Sequence, residues 1–111
     1  MFFAPGCEPC NVGLSEIGDI LKNVYDPQKM IVVAVSSDDA ESTYKQLRLT
    51  PLPNARIIHN GNKIKETYWI TSATNAFVVT NKDHVIQFTA GGSGGIINAA
   101  FKSKVSAILA Q

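Results

Sequence analysis

The sequence predicts an α/β fold, a central mixed sheet flanked by helices, on three observations. Met30-Ile31-Val32-Val33-Ala34-Val35 is a continuous, largely β-branched run, the pattern of a strand covered on both faces between helix layers. Leu14, Ile17, Leu21 and Val24 recur at three- and four-residue spacing, the period of a helix with one buried face. Strand and helix signals then follow one another as βαβα, a connector and ββα, so parallel crossovers come first and a hairpin comes last.

Each element has a local reason. Met1-Phe2-Phe3 is apolar but shorter than an ordinary strand, and Ala4-Pro5-Gly6 stops it before Cys7-Glu8-Pro9-Cys10. A helix should follow, because Pro9 lies near its start, where a missing N–H breaks no bond. Asp26-Pro27 closes that helix. After the apolar run, Asp38 is expected as an N-cap. Glu41, three residues on, would complete a capping box ahead of Tyr44 and Leu47 on one helical face. Pro51 ends this second helix. Ala55 to His59 reads as a short strand or extended segment and Asn60-Gly61 as a turn, while Lys63 to Trp69 favours helix. Ala76 to Thr80 and Val85 to Thr89 are apolar runs joined by Asn81-Lys82-Asp83-His84, a connection of hairpin length, and are expected to be antiparallel. Gly91 to Gly95 reads as a flexible link, since it matches neither a P-loop nor a dinucleotide fingerprint. Ile97, Phe101, Val105 and Ile108 form the apolar face of a last helix. No repeat or linker divides residues 1–111, which are read as one domain.

Composition narrows the function classes. With 45% hydrophobic and 17% charged residues the chain can build a core, which excludes intrinsic disorder. Ten Lys+Arg against nine Asp+Glu, with no basic cluster, argue against nucleic acid as a partner, whose binding rests on clustered cations. The longest apolar run is far below the ~20 residues that cross a bilayer, so no membrane span is expected. A domain of this size needs no dense disulfide framework, and its two cysteines call for a chemical explanation.

Cys7 and Cys10, two residues apart between a strand and a helix, are the candidate catalytic pair. Cys7 would sit at the helix N-terminus, where unpaired amides and the macrodipole favour a thiolate, and is the expected nucleophile. Its thiolate would attack a partner disulfide, and Cys10 would resolve the mixed disulfide. Glu8 places a carboxylate beside the pair, which opposes thiolate formation and favours a reductant over a strong oxidant; it is also a secondary candidate for proton transfer.

Phe2-Phe3-Ala4-Pro5-Gly6-Cys7-Glu8-Pro9-Cys10 resembles the strand end and active-site motif of thioredoxin-like proteins. Residues 75–86, Asn75-Ala76-Phe77-Val78-Val79-Thr80-Asn81-Lys82-Asp83-His84-Val85-Ile86, are similar to the strand, acidic turn and strand of the TlpA/ResA branch, so with the element order the resemblance covers nearly the whole chain. It implies a thioredoxin-like fold and a thiol–disulfide oxidoreductase that reduces protein disulfides with no dissociable cofactor. An upstream electron-donating partner would restore the dithiol, and the setting would be a bacterial periplasm or other extracytoplasmic compartment. Pro9, Ala73 and Thr74 would line the substrate-binding side.

The chain departs from that family at three places. Gly6 stands where a tryptophan usually precedes the first cysteine, which should alter partner recognition. Thr74 stands at the position of the family's cis-proline, so the Ala73–Thr74 bond is expected to be trans. The first strand is reduced to Met1 to Phe3, an incomplete N-terminal strand. It suggests a chain lacking its N-terminal portion, whose exposed strand edges could pair two copies. These departures keep two alternatives in view: a thioredoxin-like binding module with degraded catalysis, and a copper or zinc metallochaperone in which His59 and His84 join the two thiols. Both histidines fall at turns, where solvated side chains are the ordinary outcome.

Overall fold

β1, only Phe2–Phe3, lies in the middle of a five-stranded mixed sheet. The structure, a computed structural model, describes residues 1–23, 26, 28–68, 76–91 and 97–111. After β1 come α1 (Glu8–Asn23), β2 (Val33–Ser36), α2 (Ala40–Leu49), β3 (Arg56–Ile58) and α3 (Asn62–Thr67). β4 (Ala76–Thr80), β5 (Ile86–Gly91) and α4 (Ala99–Leu109) complete the order. The strands are ordered β3-β2-β1-β4-β5. β2 is parallel to both β1 and β3, while β4 is antiparallel to β1 and β5. This is the α/β architecture expected from the two early crossovers and the late hairpin.

Backbone bonds from Met1 compensate for the shortness of β1. Met1 is buried, its amino group donates to Val33 O at 2.9 Å, and its carbonyl accepts Val35 N–H at 2.7 Å. Burial pushes that amine down to about 5. Among the described residues β4 pairs with β1 at Phe2↔Ala76, and along residues 76–80 it pairs with β5.

Alternation along the strands divides the side chains between two faces. Met1, Phe3, Ala34 and Phe77 point to the main core with Cys10, Leu14, Ile17, Ile20 and Leu21 of α1. α4 adds Phe101 and Val105, with Phe101 edge-on to Phe77 and Phe88 at centroid separations of 5.6 and 5.4 Å. On the opposite face Phe2 meets the Tyr68 ring at 5.6 Å, and Val35 lies against Gly61. A Cβ at Gly61 would collide with Val35 Cγ1, so the Asn60-Gly61 turn passes closer to the sheet than any other residue would permit.

Two local expectations are corrected. The run from Met30 to Val35 is not covered on both faces throughout. The strand starts at Val33, and only Ala34, Val35 and Ser36 are buried, while Ile31 is 65% exposed and Val33 37%. Tyr68 and Gly61 reach the second face near Phe2 and Val35, and Val33 lies one alternation short of that cover. The N-cap of α2 is Asp39, not Asp38: Asp39 Oδ1 accepts Ser42 N–H at 2.8 Å. Asp38 is used by the preceding turn, where its N–H donates to Ser36 Oγ at 3.2 Å. The inward face of α2 also differs from the expected Tyr44 and Leu47. Tyr44 is exposed, Leu47 is partly buried, and the buried residues are Thr43 and Gln46. Val24, Pro27 and the Gly92 to Gly95 part of the predicted link lie outside the described residues.

Candidate dithiol site

The site begins with a turn. Cys7 N–H donates to Ala4 O at 3.2 Å, closing a four-residue turn in which Pro5 and Gly6 are central. Gly6 has φ 79°, the left-handed region that a type II turn requires at its third residue. Proline followed by glycine is therefore the residue pair this geometry selects.

The turn delivers Cys7 to the start of α1. Cys7 O accepts Asn11 N–H at 3.0 Å, so Cys7 stands at the N-cap position. Its sulfur takes the role a serine oxygen usually fills, accepting Cys10 N–H at 3.3 Å. The helix thus directs an amide donor at the sulfur where negative charge would develop in the reduced pair.

Cys7 and Cys10 form a disulfide with Cα atoms 5.1 Å apart, within the ordinary range for such a bridge. The two sulfurs differ in access. Cys7 is partly exposed, whereas Cys10 is fully buried in the main core. Of the two sulfurs, Cys7 is therefore the one an incoming thiol or disulfide can meet. Glu8 is exposed at the first helical position, and no hydrogen bond joins it to either sulfur among the described residues. Pro9, partly exposed, fills the next position without opening an unsatisfied amide. Asn11 follows Cys10, and its Oδ1 is buried with no hydrogen-bond partner among the described residues.

Two polar contacts tie α2 to its neighbours, one of them to the turn before Cys7. Gly6 N–H donates to Gln46 Oε1 on α2 at 3.2 Å, and Thr43 Oγ1 donates to Ser36 Oγ at 2.7 Å in a buried pair at the end of β2. Apolar periodicity does not report Gln46, a polar residue buried on α2. The signal available was the polar pair Thr43 and Gln46, three residues apart on a helix between two strands.

Ala73 and Thr74, the other substrate-side candidates, lie outside the described residues, as does Trp69. His59 and His84 are both exposed; Asn60 Nδ2 lies 3.1 Å from His59 Nδ1, and His84 sits in the β4–β5 turn with φ 63°. Among the described residues no three His, Cys, Asp or Glu side chains are grouped as a metal site. No described helix is long and apolar enough to cross a membrane. No family model, curated protein or solved structure matches the chain.

Proposed function

We propose that the protein is a thiol–disulfide oxidoreductase of thioredoxin-like fold that reduces protein disulfides through Cys7 and Cys10. The observation that carries the reading is the asymmetric pair: a bridged Cys7 and Cys10 at the start of α1, one sulfur accessible and one buried. The sheet order, with the dithiol at the turn from the central strand into its helix, supports the thioredoxin-like assignment.

In the reduced enzyme the Cys7 thiolate attacks one sulfur of the partner disulfide, forming a Cys7–partner bond and expelling the other partner sulfur as a thiolate. Cys10 then loses its proton and attacks Cys7 Sγ. The Cys7–Cys10 bond forms, the mixed disulfide breaks, and the second partner thiolate leaves. Two electrons pass to the partner, which takes up two protons, and the enzyme is left oxidised. The Cys10 amide stabilises Cys7 sulfur both as nucleophile and as leaving group. A dithiol donor must reduce the bridge before the next cycle. The proposed setting, a bacterial extracytoplasmic compartment, rests on the resemblance of residues 2–10 and 75–86.

The test is equilibration of the chain with glutathione and dithiothreitol buffers, read by thiol trapping and intact mass. The expected result is a reversible two-electron transition near or below roughly −270 mV, the range of a reductant, lost in Cys7→Ser. A potential near that of strong oxidants reverses the direction proposed, and the absence of any reversible bridge removes the catalytic reading.

A further inference from the structure

Gly6 and Gln46 are 40 residues apart in sequence, yet the bond between them reaches the turn that carries Cys7. Gln46 is buried on α2, and its amide orientation is set by Thr50. Gln46 Nε2 donates to Thr50 Oγ1 at 3.2 Å, and Thr50 Oγ1 donates to Gln46 O at 3.2 Å. With nitrogen committed to Thr50, the amide oxygen is the atom turned to Gly6.

The peptide that Gln46 accepts from is the central one of the Ala4–Cys7 turn. Type I and type II turns differ by a flip of that peptide, which exchanges negative for positive φ at the third residue and reverses the direction of its N–H. Gly6 has no side chain to choose between them, because glycine takes positive and negative φ about equally readily. A hydrogen bond does: Gln46 Oε1 accepts the N–H in the orientation with φ 79°. The next residue is Cys7, whose sulfur faces the Cys10 amide.

Building on the dithiol reading, we propose that Gln46 is a positioning residue, whose side-chain oxygen selects the turn at Gly6 and so holds Cys7 sulfur against the Cys10 amide in its reactive arrangement. It touches neither sulfur. α2, which carries no part of the dithiol motif, thereby tunes the reactivity of α1.

The experiment is the rate of iodoacetamide alkylation of Cys7 in the reduced full chain, assigned by peptide mass and followed against pH. It compares wild type, Gln46→Leu, Gly6→Ala, the double variant and Thr50→Val. Gln46→Leu should slow alkylation at neutral pH by about five-fold, the ratio that one hydrogen bond of ordinary net strength represents, and move the pH profile upward. Gly6→Ala should slow it by a similar factor, about five-fold, because an L side chain resists positive φ. The double variant should be no slower than the slower single variant, since both changes release the same turn. Thr50→Val should act in the same direction by a smaller factor.

Factors that multiply to about 25-fold in the double variant would overturn the proposal, because the two residues would then act independently. So would an unchanged alkylation profile in Gln46→Leu beside a lowered thermal midpoint, the mark of a merely structural role. If Gln46→Leu does not fold, Thr50→Val combined with Gly6→Ala carries the same comparison. Reversible oxidation of the wild type is scored separately: a chain that never cycles removes the proposed function, while the alkylation series still decides the role of Gln46.

Discussion

α1 and α2 follow successive strands of one sheet and are held by different physics. The buried side of α1 is Cys10, Leu14, Ile17, Ile20 and Leu21, joined to the core of Phe3, Ala34 and Phe77. The buried positions of α2 are Thr43 and Gln46, each with a named hydrogen-bond partner outside the helix's backbone ladder. Burial of apolar area is non-directional and tolerates changes of shape at constant volume. A hydroxyl pair at 2.7 Å is directional, and its bond is lost with either atom. The helix bearing the dithiol is thus anchored by area, and its neighbour is registered by directional bonds.

The largest effect should come from the apolar side. Leu14 is fully buried one turn after Cys10, and Leu14→Ala should cost ~2–5 kcal/mol by lost transfer energy and a residual cavity. Leu14→Met, which nearly conserves volume, should cost less than ~1.5 kcal/mol. Urea unfolding of the oxidised chain measures both. Similar losses from the two substitutions would show that shape, not area, holds α1, and the contrast between the helices would fail.

Next in size is the polar side. Thr43→Val keeps the volume and removes the hydroxyl that donates to Ser36 Oγ. Because Ser36 Oγ also receives Asp38 N–H at 3.2 Å, it is not left wholly unsatisfied, and the expected loss is ~1 kcal/mol. Thr43→Ser, which keeps the donor and loses a methyl, sharpens the comparison. If α2 is registered by its hydrogen bonds, Ser should retain the pairing with Ser36 that Val loses, which double variants with Ser36→Ala measure as a coupling energy. Equal coupling in the Ser and Val variants would break the argument.

What was legible in the sequence follows the same division. The spacing of Leu14, Ile17 and Leu21 revealed α1, the Asn81 to His84 connection revealed the β4–β5 hairpin, and the position of Cys7 and Cys10 between strand and helix placed the disulfide. Each depends on a local pattern of residue types. Gln46 did not emerge, because its role depends on a turn 40 residues away that periodicity does not report. Gly18 was equally silent, although a Cβ there would come within 2.9 Å of Pro51 O in the segment after α2. The exposure of Ile31 and Val33 escaped because a strand's run of apolar residues states what could be covered, not how far the covering elements extend. The part of the expected site at Ala73 and Thr74 lies beyond the described residues.

The smallest effect belongs to the start of α2, where the sequence offers adjacent aspartates and the fold uses the second. The Ser42 N–H bond, followed by the Ser42 side chain and more weakly the charge of His59, holds the Asp39 carboxyl below its ordinary value. A carboxylate lowered in the folded state stabilises the fold above its unfolded value of about 3.9, and that contribution is lost as pH falls through the folded value. Asp39→Ala should therefore lower the urea midpoint at neutral pH and converge on wild type in acid. Asp39→Asn, which keeps an acceptor for Ser42 N–H without the charge, should fall between them at neutral pH and remove most of this pH dependence. Asp38→Ala, aimed at the other aspartate, should leave this acid-dependent difference intact because its carboxylate does not cap the helix. Had Asp38→Ala abolished the dependence and Asp39→Ala preserved it, α2 would start one residue earlier. Thr43 and Gln46 would then need a different account of how they reach Ser36 and Gly6.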